Sequence, residues 1–158
     1  MHKGRRVPRD GERRFSRRTA RLEGARVSGS SFQFYSRLLL RVLSALLTVC
    51  LLAQFFIAGM AAMTNSEWWA YHQSWVAIFQ WLVLPLPILG LFAGDRRYQR
   101  AALASIPIIQ IGLQYFLAHR AMEGRFPIGI GLHAVNGALL LMVAAFLTAG
   151  IPNNKASS

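Results

Sequence analysis

A few polar side chains lie where the rest of the chain is nearly all hydrocarbon. His133 and Asn136 open the run LHAVNGALLLMVAAFL, and His72 stands at the start of another uncharged run. A neutral imidazole can ligate a metal, relay a proton or hydrogen-bond a neighbouring helix. Two glutamines, Gln54 and Gln114, also fall in apolar runs, where an amide exposed to lipid would be costly. Gly137, beside Asn136, leaves space for a group to approach the backbone. Which chemistry these residues can do depends on the elements that carry them.

The 158-residue chain is 54% hydrophobic and 15% charged, too apolar for an ordinary soluble domain of its length. Residues 42–66, 68–94, 101–118 and 126–154 contain no Asp, Glu, Lys or Arg. A helix needs about 20 apolar residues to cross roughly 30 Å of hydrocarbon, so the chain reads as four transmembrane helices. We place them near 38–63, 70–93, 100–121 and 129–150. The expected fold is an all-α integral membrane protein, a four-helix up-and-down bundle over 38–151. Its connections are short, leaving no soluble catalytic domain. The first apolar run is expected to be retained rather than cleaved, because a signal peptide has an apolar core of about 7 to 15 residues close to its start. The single cysteine, Cys50, lies inside that run and reads as a packing residue.

Lys and Arg set the expected orientation. Eleven of them precede residue 38, and the second loop, GDRRYQR, adds Arg96, Arg97 and Arg100. The first loop, TNSEWWAYHQS, has none, and the third, HRAMEGRF, has Arg120 and Arg125. The positive-inside rule then places both termini in the cytoplasm of a plasma (inner) membrane, with Trp68, Trp69 and Tyr71 in the outer aromatic belt. Residues 1–37 are expected to form a disordered basic tail that fixes topology, and 152–158 a short second tail. Arg5, Arg9, Arg13, Arg17 and Arg21 recur every four residues, so a helix there would offer a basic face to anionic headgroups. Nucleic acid is disfavoured, since no aromatics are interleaved for base stacking. A native start near Val27 would instead leave an ordinary short N-terminus.

The chain echoes itself. LAQFFIAGMAAM from Leu52 aligns with GLQYFLAHRAME from Gly112, matching Gln54 to Gln114, Phe56 to Phe116 and Ala58 to Ala118. With one residue inserted in the loop, the register continues to place His72 on His133. Two tandem helical hairpins result, each giving a glutamine from its outgoing helix and a histidine from its returning one. In a four-helix bundle with neighbours about 9 to 10 Å apart, the second and fourth helices face each other across a diagonal of about 13 to 14 Å. A histidine Cα lies roughly 6 to 7 Å from an iron bound by its ring, so two diagonal histidines can clamp one haem b near the outer leaflet. His72 and His133 are then metal ligands. Gln54, Gln114, Asn136 and Gly137 would face the cofactor, and Arg120 and Arg125 could hold its propionates.

Other readings stay open. The repeat could be a packing device inherited from duplication, its polar residues serving as interhelical hydrogen bonds, and the pocket could take another metal, a quinone or an ion. His119 falls where Gly59 stands in the first repeat and reads as a loop residue. Pro85, Pro87 and Pro107 are expected to bend their helices.

The pattern Q-F-F-x-A-G, a histidine opening the second helix and L-H-x-V-N opening the fourth resembles small bacterial four-helix membrane proteins grouped as domain of unknown function 6220, over residues 38–151. A looser similarity is to one four-helix half of haem A synthase, whose helix-borne histidines bind haem. It implies a haem-like pocket at His72 and His133. It does not imply haem A synthesis, because a single bundle supplies only one such site, Glu67 lies in a loop and Glu123 has no counterpart; Trp75 stands where Asn136 does, so the cofactor environment is asymmetric.

Bis-histidine ligation fills both axial positions, which suits electron transfer. The expected function is a one-haem b-type cytochrome, not an enzyme by itself, exchanging electrons with a quinol or a redox protein partner. The alternative is a cofactor-free accessory subunit packed in an oligomer or membrane complex. A transporter is weaker, with few ionisable residues in the spans, and no Ser-His-Asp or paired-carboxylate arrangement suggests a hydrolase.

Overall fold

The computed structural model describes residues 10–150, with side chains from Gly29 onward. Among them the chain forms α1 (Asp10–Met63), α2 (Trp68–Phe79), α3 (Pro85–Phe92), α4 (Arg97–Met122) and α5 (Gly129–Ala149), with a 3₁₀ turn over Gln80–Val83 between α2 and α3. Four stretches are long and apolar enough to cross a bilayer: Gly29–Met63, Trp68–Phe92, Arg97–Met122 and Gly129–Ala149. The chain is therefore an all-α, multi-pass membrane protein.

The first helix differs from expectation. It begins at Asp10 rather than near 38, so from Asp10 the basic segment continues the apolar helix instead of forming an irregular tail. No proline falls between Pro8 and Pro85, and a helix nucleated on an apolar run propagates with one hydrogen bond per added residue. Residues 1–9, the outer part of the first expected tail, and 151–158, which include the whole of the second, lie outside the described residues, as do the side chains of the periodic arginines.

The second span is interrupted where the prolines fall. Pro85 has no N–H to give the Trp81 carbonyl, which instead accepts from the Leu84 N–H at 3.3 Å in a tighter turn. The helix restarts with Pro85 in its first turn, where a missing N–H costs nothing. Pro107, by contrast, is buried within an unbroken α4.

Four spans run up and down. α1 packs against α2, α3 and α5, and α4 against α3 and α5, while the diagonal pairs α1–α4 and α2–α5 make no close backbone approach among the described residues. The buried core draws Leu47 and Leu51 from α1, Leu86 from α3, Ala104 from α4, and Leu140 and Ala144 from α5. Small residues let the helices close up. A Cβ on Gly90 would lie 2.8 Å from the Ala101 backbone nitrogen, so α3 and α4 touch backbone to backbone there. On the outside, Val49, Ile78, Ile109 and Met142, one per span, stand exposed as lipid-facing side chains do.

Candidate functional site: a histidine pair across the bundle

Each hairpin is pinned by the same device. Trp75 Nε1 donates to the Cys50 carbonyl at 2.9 Å, and Asn136 Nδ2 donates to the Gln110 carbonyl at 2.8 Å. These pairs occupy equivalent places in the two repeats, since Cys50 and Gln110 keep the register of Gln54 and Gln114, and Trp75 and Asn136 that of His72 and His133. An indole and an amide thus do one job, joining the returning helix to a carbonyl of the outgoing one. Each carbonyl has a second lone pair for its own helix bond.

One turn toward the loops, the glutamine and histidine of each hairpin also meet, with roles exchanged. Gln54 Nε2 donates to the His72 carbonyl at 3.1 Å. In the second hairpin the histidine ring is the partner: His133 Nδ1 lies 3.1 Å from the Gln114 carbonyl. A carbonyl only accepts, so Nδ1 of His133 is the donor in this bond. That is the arrangement that orients a histidine ligand and raises its basicity.

The two rings then reach toward each other. α2 starts at Trp68 and α5 at Gly129, so His72 and His133 each follow the first residue of their helix by four positions and sit at equal depth. Their ring centroids lie 6.3 Å apart with planes tilted by 51°, although α2 and α5 are diagonal helices. Trp69 packs edge-on against His72 at 5.4 Å.

The layer around the rings has polar atoms to spare. Buried and without a hydrogen-bond partner are His72 Nδ1 and the amide oxygens of Gln54, Gln110 and Gln114. Buried polar atoms are normally satisfied, so these four, spread over two successive turns of the bundle, are places where a further polar group or water could bond. Gln110 is missing from the sequence-based set, though its place one turn from Gln114 on the same helix face was a usable signal.

Other expected residues lie differently. Gly137 is buried, but a Cβ there would meet Gln114 Nε2 at 2.9 Å and the Phe55 ring at 3.4 Å. The space beside its backbone is thus taken by these two side chains instead of lying open to a planar group. His119 stands exposed on the last turn of α4, its Nε2 3.0 Å from Glu123 Oε1. Arg120 and Arg125 turn to the same carboxylate, at 3.3 and 3.6 Å. Glu123, not a ligand, organises that loop.

Among the described residues no three of His, Cys, Asp and Glu converge as a metal site. A bare transition metal asks for three or four protein ligands, whereas a haem brings its equatorial nitrogens and needs only axial ones. Two imidazoles are too few for the first kind and equal in number to the axial ligands of the second.

No curated protein and no solved structure matches the chain, so the looser similarity to haem A synthase finds no support there. One family does match, over a stretch that contains Gln54, His72 and Gln114 but stops before His133 and Asn136. Over residues 54–122, from the end of α1 to the end of α4, the chain matches a family of unknown function (DUF6220).

Proposed function

We propose that this membrane protein holds one b-type haem between His72 and His133 and exchanges single electrons with a quinol or a redox protein. The observation that carries the reading is the 6.3 Å between ring centroids across the diagonal of the bundle. A metal bonded to both imidazoles at about 2 Å each leaves their centroids roughly 6 Å apart. His72 and His133 would hold such a group, which when bound would supply a one-electron couple. The chain's own part is to orient. The Gln114 carbonyl orients the His133 ring, and the Trp75 and Asn136 bonds fix the two helices that present the rings. The excess of Arg at the end that carries Arg37, Arg96, Arg97 and Arg100 supports a plasma (inner) membrane topology with that end cytoplasmic and the histidines toward the outer leaflet.

The test is the visible spectrum of detergent-purified protein from haem-replete cells, oxidised and dithionite-reduced. A Soret band with sharp reduced α and β bands is expected, lost or shifted in both His72→Ala and His133→Ala. A colourless wild type, with both variants folded, would overturn the reading and leave the pair as interhelical packing in a cofactor-free subunit, which the filled space over Gly137 would then suit.

A further inference from the structure

At the opposite end of the bundle, three arginines enclose a small cavity. Arg37 and Arg41 come from successive turns of α1 and Arg100 from the first turn of α4, over an apolar floor of Leu40 and Leu147. The cavity is about 70 Å³. A single water needs roughly 10–15 Å³ on this measure, so there is room for a group of several oxygens.

The arginines have a structural task. Arg37 Nε and Arg100 Nη1 both donate to the Ala93 carbonyl at the C-terminal end of α3, and Arg100 Nη1 also donates to the Asp95 carbonyl at 2.7 Å. The Arg41 guanidinium lies over Gly150, at the end of α5. Gly94 and Gly150, with φ of +92° and +89°, end their spans under an arginine of α1, Arg37 and Arg41 respectively. A side chain at either position would strike that guanidinium and would strain the backbone.

Capping does not balance the charge. A helix C-terminus carries about half a negative charge, so two of them offset about one of the three positive charges. Among the described residues no carboxylate lines the cavity, and the neighbouring Asp95 and Arg96 are of opposite charge. Among the described residues positive charge is in excess around this small space at the membrane boundary. Guanidinium groups in that arrangement suit a tetrahedral oxyanion, which accepts forked hydrogen bonds from several donors at once.

From this convergence we propose that the cavity between Arg37, Arg41 and Arg100 binds a phosphate group, delivered either by the headgroup of an anionic phospholipid or as free phosphate. A basic pocket between helix ends at the bilayer surface is where the first source would be met. The site is independent of the histidine pair and of any haem.

The experiment uses the full chain in dodecyl maltoside, in phosphate-free buffer, with thermal unfolding as the readout. It is titrated with dioleoyl phosphatidylglycerol, with dioleoyl phosphatidylcholine and with inorganic phosphate. Saturable stabilisation by phosphatidylglycerol beyond phosphatidylcholine assigns the headgroup; stabilisation by inorganic phosphate alone assigns the free ion. Arg41→Gln, at an exposed position, is expected to weaken the apparent affinity on the order of tenfold, as the loss of one charge-assisted contact does. Arg37→Gln should do the same, and Arg120→Gln at the other end should not. No saturable effect of either anion, or an effect that survives in both Arg41→Gln and Arg37→Gln with circular dichroism showing each folded, would overturn the proposal.

Discussion

If Trp75 and Asn136 are equivalent pins, removing either should loosen one hairpin by a similar amount and leave the other untouched. Trp75→Phe keeps most of the ring and deletes only the Nε1 donor to the Cys50 carbonyl at 2.9 Å. Asn136→Ala deletes the donor to the Gln110 carbonyl at 2.8 Å and some packing around a side chain that is 6% exposed. Neither variant orphans a carbonyl, since each keeps its bond within the helix. Interhelical hydrogen bonds in membranes are worth about 0.6 kcal/mol and at most about 1.7. Trp75→Phe should therefore cost about 0.6–1.7 kcal/mol, and Asn136→Ala slightly more for its lost packing. The side chains stand on diagonal helices that make no close approach, so the double variant should be additive within about 0.5 kcal/mol. Reversible unfolding in mixed micelles of all four proteins measures both quantities. A cost confined to one hairpin, or a coupling well above 0.5 kcal/mol, would refute the equivalence of the two pins.

Two further outcomes follow from packing and charge. Gly90→Ala drives a Cβ to within 2.8–2.9 Å of the Arg100 and Ala101 backbone and should destabilise by about 1–3 kcal/mol in the same assay. Gly59→Ala meets nothing within 4 Å and should be neutral or stabilising by up to about 1 kcal/mol; equal costs at the two glycines would contradict the close α3–α4 contact. Glu123→Gln removes the carboxylate shared by His119, Arg120 and Arg125, yet these groups are substantially exposed, so stability should move by no more than about 1 kcal/mol and less at high salt.

Four uncharged runs, each long enough to span hydrocarbon, by themselves determined a multi-pass helical protein, because no other use of such stretches satisfies the backbone. The register from Gln54 to Gln114 was likewise open to inspection, since a repeat is a property of the string. The start of α1 at Asp10 was not legible, because charge pattern and helix propensity point opposite ways across a basic segment. Nor was the identity of the partners. That Trp75 and Asn136 reach equivalent carbonyls, that Gln114 and Phe55 fill the space over Gly137, and that Arg120 and Arg125 turn to Glu123 depend on which helices are neighbours and how each is rotated. Periodicity fixes a residue's place along a helix. Only packing decides what it touches, and so it took the bundle to bring His72 and His133 to 6.3 Å and to gather Arg37, Arg41 and Arg100 around one cavity.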